Sequence, residues 1–253
     1  MAKKFKDYYD EGCAILLANK IEGVHSPFKK NDFINNIRDE IVGKEFLERQ
    51  DIFATAFEHH MTGDYENDIT VFYNILGPEL EGTHGMFTYG WWLWPVGLYV
   101  ERHGIKNPEL SLNFIYELTK RFTGEFAIRP LISANPKKTL EVILKWSKDN
   151  NVHVRRLSSE CMRIRLPWAK KSFSAVNEFE LYKQILTNLK DDKEKFVQKS
   201  VGNNLNDLMK EDPALANQII SEWENSNPGK ETLWIIKHGK RSMNKKTTSE
   251  AVN

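Results

Sequence analysis

The chain has 253 residues, 40% of them hydrophobic and 11% aromatic, which is enough to bury a core and excludes a disordered polymer. With 36 Lys and Arg against 35 Asp and Glu it is not uniformly basic, so any basic cluster must be offset by acidic surface elsewhere. Two cysteines, Cys13 and Cys161, without CxxC or Cys/His spacing, argue against a zinc site or a disulfide framework and suit a reducing cytoplasm.

The amino-terminal MAKKFKDYYDEG is charged and lacks an apolar core, unlike a signal peptide. CAILLANKI predicts one short helix, closed at HSPF because Pro27 disfavours helix at Ser26. Residues 1–30 are therefore read as an N-terminal helix and linker. From Asn31 the pattern is helical: NDFINNIRDEIV, then EFLERQDIFATAFEHHM, whose Phe46, Ile52, Phe53, Ala56 and Phe57 form an i, i+3, i+4 stripe. The adjacent His59 and His60 project from a helix to different sides and have no third ligand at a sensible spacing. A structural role is favoured there, and no metal or cofactor is expected. The next helical run, Asn67 to Leu76, ends at Gly77 and Pro78. Trp91, Trp92 and Trp94 could form an aromatic platform for bases, but packing in a buried helix is the favoured reading. The most apolar window, Phe87 to Val100, is shorter than the ~20 residues of a membrane span. A soluble, cytoplasmic protein without a membrane partner is expected.

After Gly104 the helix breakers become regular. Pro108 opens a helix, Gly124 ends it, and Glu125, Pro136 and Asn151 start the next three. Further helices are expected over 179–189, 193–209, 213–223 and 230–243, with no convincing strand alternation anywhere. Helix pairs recurring at roughly forty-residue intervals are the signature of HEAT-like repeats. The expected fold is all-α, a superhelical solenoid of antiparallel helix pairs over residues 31–243. The polar 244–253 is expected to be a disordered tail.

The most unbalanced stretch is NVHVRRLSSECMRIRLPW at 151–168. From Arg155 to Lys171 it sets Arg155, Arg156, Arg163, Arg165, Lys170 and Lys171 against Glu160 alone. The second helices of successive pairs align as EFAIRPLI, VHVRRLSSE, FVQKSVGNNL and TLWIIKHG. Each carries a cation after its first apolar turn: Arg129, Arg155 with Arg156, Lys199, and Lys237. A charge run by itself is usually a solvated face; recurrence at four equivalent places favours a basic stripe along one curved surface. Asn203, Asn204 and Asn206 add short groups able to bond phosphate or backbone, and Lys240, Arg241, Lys245 and Lys246 add a basic end.

Taken together, GEFAIRPLI, the run through VHVRRLSSE to RIRLPWA, SVGNNLNDLMKEDP and TLWIIKHGKRSM resemble the AlkC-type DNA alkylation repair glycosylases of the HEAT-like repeat superfamily. The resemblance covers residues 119–243. It implies a monomeric, monofunctional DNA glycosylase that holds damaged duplex DNA in a concave groove. Such an enzyme removes cationic N-alkylated bases of the 3-methyladenine type without a cofactor and is nucleoid-associated when on DNA. Matched residue by residue, the family's catalytic acid falls on Glu125, its aromatic on Trp168 and its aspartate on Asp207. DNA contacts are expected from Arg129, Arg155, Arg156, Arg163, Arg165, Lys199, Asn203, Asn204, Lys237, His238 and Arg241. The chain departs from the pattern at Gln198 and Lys199, where two arginines are usual, at Leu233 within Thr-Arg-Trp, and at Lys237 for arginine. Lysine lacks the bidentate fork of arginine, so these changes bear on phosphate contacts. Some members carry an added carboxyl-terminal immunoglobulin-like domain, and none is expected here.

Such chemistry needs no general acid, because a base alkylated at N3 leaves as a neutral group. What remains is to stabilise an oxocarbenium-like sugar and orient a water, which a carboxylate does. Glu125 or Asp207 can serve, and a tryptophan face such as that of Trp168 attracts the cation. Plainer roles exist for each. Glu125 suits a helix start and could pair with Arg129, Trp168 could plug a helix end, and Asp207 could cap or pair. Two other functions compete: an inactive HEAT-like repeat protein that binds damaged or branched DNA, and a helical scaffold for proteins. Intact Glu125, Trp168 and Asp207 argue against the first, and the clustered cations against the second.

Overall fold

The computed structural model describes residues 3–243; the expected tail lies outside the described residues. Among the described residues there are thirteen α-helices and no β-strand, in two compact units, Met1–Pro130 and Leu131–Asn253. The first contains α1 (Glu11–Glu22), α2 (Lys30–Glu40), α3 (Phe46–His60), α4 (Tyr65–Ile75), α5 (Trp94–His103) and α6 (Pro108–Thr119). A short α7 (Arg129–Ala134) precedes the second unit's α8 (Pro136–Trp146), α9 (Val152–Glu160), α10 (Phe179–Asn188), α11 (Lys195–Glu211), α12 (Pro213–Glu224) and α13 (Lys230–Gly239).

Residues 3–30 pack with the helices after them. Helix α1 buries Cys13, Ala14, Leu17, Ala18 and Ile21 and packs on α2 and α4, so the chain divides after Pro130 rather than near Lys30. The polar-looking start is also anchored. Phe5, in a 3-10 turn at Phe5–Tyr8, puts its ring 5.2–6.2 Å from those of Tyr9, Phe46, Phe87 and Trp94. Trp92 and Trp94 are buried, as core packing requires.

Three helices begin with the same device. Asn107, Asn135 and Asp212 each stand before a proline at ψ 81–87° and accept first-turn N–H groups through their side chains, from Leu110, from Lys138, and from Ala214 and Leu215. The proline follows at a position whose N–H has no intrahelical partner anyway, so nothing is lost. Each such cap contributes about 1 kcal/mol.

In the second unit α8 packs on α9 and α10, α9 on α11, and α11 on α13, so the second members of the pairs form one layer. Side-chain bonds tie each pair to the next at sequence separations of 33–46 residues, and Ser159–Ser200, Asn204–Ser159, Arg163–Asp207 and Thr232–Lys190 fall at 41–45. The same interval appears in the first unit at Asn107–Glu66 and Lys120–Glu79, both 41. Helices α11 and α13 approach closely because Gly202 and Gly239 face each other's helix: a Cβ at Gly202 would lie 2.8 Å from the His238 ring, and one at Gly239 2.7 Å from Leu205.

Candidate functional site

In the first unit, Glu125 follows Gly124, which packs where a Cβ would lie 2.6 Å from Ile115 on α6. The helix expected to start at Glu125 starts four residues later. Residues 125–128 form turns, with Ile128 N–H donating to Gly124 and Arg129 N–H to Phe126. Pro130 has no N–H to donate to Phe126, which is why the α-helical ladder cannot extend back through this segment. Glu125 is buried at 5% exposure, and Arg129 is partly exposed. Beside this segment a small cleft is lined by Trp94, Glu101, Phe122 and Phe126 among others. Burial there pushes the Glu101 carboxyl up to about 7, against the pull of Arg129 and Arg102.

In the second unit the structure brings Asp207 to the loop that leaves α9. Its Oδ2 accepts from Arg163 Nε at 3.0 Å and from the Arg165 backbone N–H at 3.3 Å. Arg163 also donates through Nη1 to Glu160 at 2.9 Å, and Arg156 Nη2 lies 3.4 Å from the same Glu160 oxygen. Arg156, Glu160, Arg163 and Asp207 thus alternate in sign through a nearly dry interior, the last three being 5%, 8% and 3% exposed. Burial raises the Glu160 carboxyl, but Arg156, Arg163 and a hydrogen bond from Ser200 outweigh it and hold Glu160 below the usual carboxylate range. Burial lowers and the two carboxylates raise Arg163, the carboxylates prevailing.

Three residues beyond the pinned Arg165 amide, Trp168 is 58% exposed and sits at φ +63°. A bulky side chain seldom adopts the left-handed region, and holding one there costs on the order of 1–3 kcal/mol. The loop is closed by Ser172 N–H donating to Ile164 and Ala169 N–H to Leu166. Asp207 therefore fixes the base of a loop whose tip presents an indole to solvent.

The expected DNA contacts do not share one environment. Asn204 is corrected outright: it is fully buried, and its amide binds Ser159, Ser200 and Tyr182, leaving nothing to reach a ligand. Arg155 is committed inside the fold, with Nε 2.7 Å from Asp192 and Nη1 on the Asp149 and Asn150 carbonyls, and Arg163 is the buried clamp just described. Arg165 is exposed but paired with Glu211 at 2.6 Å. Lys199 and Lys237 are exposed and pair with no carboxylate among the described residues. Asn203, His238 and Arg241 come together: Asn203 Oδ1 lies 3.1 Å from His238 Nε2 and 2.9 Å from Arg241 Nη2. Three participants lie outside the expected set. Glu160, Lys195 and Trp234 are visible in the sequence only as an i+4 and i+3 neighbour of two arginines and as a lysine and a tryptophan in matching helices.

Paired helices in register, an exposed indole on a strained backbone and a buried acid–arginine chain define a helical-repeat protein. The chain belongs to the DNA alkylation repair enzyme family, whose model matches residues 123–253. It is 32% identical over 98% of its length to the uncharacterized protein YhaZ of Bacillus subtilis (strain 168), of which it spans 66%. It is also similar to the alkylpurine DNA glycosylase AlkC of Pseudomonas fluorescens, solved bound to DNA containing an abasic site analog. That likeness has a TM-score of 0.82 at 28% identity and covers 96% of this chain and 65% of that one, so the chain spans slightly less than two thirds of the length of these relatives. AlkD2 of Streptococcus mutans shares the fold, with a TM-score of 0.52 at 20% identity over 83% of this chain and 97% of that one. The all-α, HEAT-like class expected from the sequence holds. No helix among the described residues is long and apolar enough to cross a membrane.

Proposed function

We propose that the chain is a monofunctional DNA glycosylase that hydrolyses the N-glycosidic bond of cationic N-alkylated bases, of the 3-methyladenine type, in duplex DNA. The observation that carries this reading is the bond from the Arg165 amide to Asp207, which couples a buried carboxylate to the loop displaying Trp168. The cationic base departs neutral, so bond cleavage leaves positive charge on the sugar. A fixed carboxylate stabilises that charge and directs water to the anomeric carbon, and the indole face of Trp168 attracts the positive reactant. Glu125 is the second candidate carboxylate. Exposed Lys199 and Lys237 supply backbone contacts.

One observation favours a second reading, a DNA-binding protein without the chemistry: Asp207 Oδ2 is already occupied by Arg163 and the Arg165 amide. Charge-removing isosteres separate the two. Under the glycosylase reading, Asp207→Asn and Glu125→Gln, each assayed below its own melting temperature because Asp207→Asn also unbalances the buried Arg163, leave DNA affinity unchanged or slightly stronger. Single-turnover release of 3-methyladenine slows on the order of 10²- to 10³-fold in each, unless it first reaches the uncatalysed background. Release by both variants at the wild-type rate, with wild-type binding, would overturn the assignment of the carboxylates. Wild-type protein that binds methylated duplex and releases no base would establish the second reading.

A further inference from the structure

A second polar group on the α11–α13 layer neighbours the Arg163–Asp207 pair. Arg241 Nη2 donates to Asn203 Oδ1 at 2.9 Å, and since a guanidinium has no acceptor, this contact fixes which end of the carboxamide is the oxygen. His238 Nε2, 3.1 Å from that same oxygen, must then carry a proton, so Nδ1 is the position that gains or loses one. The Trp234 ring stacks on the imidazole, centroids 4.9 Å apart and 13° from parallel, and Lys195 Nζ lies 3.0 Å from the Trp234 centroid.

The charges acting most strongly on His238 are of one sign: Arg241 from its own turn, Lys195 and Lys199 from α11, and Arg163 from the loop after α9. The nearby carboxylates answer other groups, Asp207 facing Arg241 and Glu231 facing Lys195. Burial, followed by those like charges, holds the imidazole below the ordinary histidine range. Asn203, His238 and Arg241 are only partly covered, and Lys195 and Lys199 are exposed. The arrangement gathers cations around a partly exposed neutral imidazole whose Nδ1 is open to protonation.

We propose that Asn203, His238 and Arg241, flanked by Lys195 and Lys199, form the seat of one phosphodiester of bound DNA, and that His238 takes up a solvent proton at Nδ1 as the phosphate enters. The negative charge reverses the balance of the field at the imidazole and stabilises its cationic form, as does the indole face. This rests on the reading of the chain as a DNA-binding enzyme and adds to it a proton-linked contact. In the free protein the imidazole is neutral over a range in which the bound form is charged. Affinity is therefore greatest at low pH and falls as pH rises between the free and bound values.

The test is the dissociation constant of an undamaged duplex oligonucleotide by fluorescence anisotropy from pH 5.5 to 8 at fixed ionic strength. Wild-type affinity should weaken with rising pH, approaching about tenfold per pH unit at its steepest. His238→Gln should bind more weakly at pH 5.5 and lose that dependence. Calorimetry of the wild-type protein in Tris and in MES should register uptake of up to about one proton per bound duplex, a count that needs no variant. Salt-sensitive binding without pH dependence or proton uptake, or a His238→Gln variant that keeps the wild-type slope, overturns the proton-linked seat and leaves the glycosylase reading intact. Absence of any binding to duplex DNA overturns both.

Discussion

A guanidinium held between two buried carboxylates, as Arg163 is between Glu160 and Asp207, serves the interior before it serves a ligand. Breaking such an arrangement from one side leaves uncompensated charge in a dry site, which typically costs 3–5 kcal/mol, so Arg163 is a poor position at which to probe DNA contact. Glu101 shows the opposite case, a carboxyl in an apolar cleft whose folded value of about 7 lies above its unfolded value of about 4.3. The folded state then binds the proton more tightly, so stability falls as pH rises from about 4.3 to about 7 and stays lower above that. Glu101→Gln should consequently raise the melting temperature at pH 8 and leave it nearly unchanged at pH 4. A pH-independent effect of the substitution would mean that the carboxyl titrates normally.

Among the elements, the α11–α13 contact has the least room. A Cβ at Gly202 would lie 2.8 Å from the His238 ring and 3.2 Å from its Cβ, so Gly202→Ala must push α13 outward or turn the imidazole off Asn203. Overpacking of this kind costs about 1–3 kcal/mol, and it should appear as a lower denaturant midpoint together with weaker DNA binding. An unchanged midpoint would show that the two helices slip past each other freely. Helix positions are legible in the sequence because the Asn-Pro and Asp-Pro starts and the 3.6-residue stripes are local signals. The late start of α7 is not, because the missing Pro130 donor counts only once the backbone path from Gly124 is known. Tertiary choice is hidden as well. Arg155 and Lys199 look equivalent in aligned helices, yet Asp192, 37 residues on, takes the first, and no carboxylate among the described residues takes the second. The recurrent cations suggest one stripe, whereas only some of them face outward without an acid partner.

For the molecule as a whole, near balance of 36 cations and 35 anions means that the proposed attraction to DNA must come from local surface rather than net charge. The observed logarithmic affinity should fall with logarithmic salt concentration. Replacing both Lys199 and Lys237 by alanine should reduce that slope by roughly 2, about one phosphate contact each, whereas Arg155→Ala should lower thermal stability and leave the slope alone. Equal slopes for the wild type and the double variant would remove these lysines from the interface. The recurring interval of side-chain bonds, roughly forty residues from one pair of helices to the next (33 to 46), has an evolutionary corollary. Constraint between positions forms a narrow diagonal band: a change at Asp207 is answered near position 163, and one at Ser200 near 159. Homologues should then show covarying pairs concentrated about forty positions off the diagonal, and the family can drift repeat by repeat without reworking the whole chain at once.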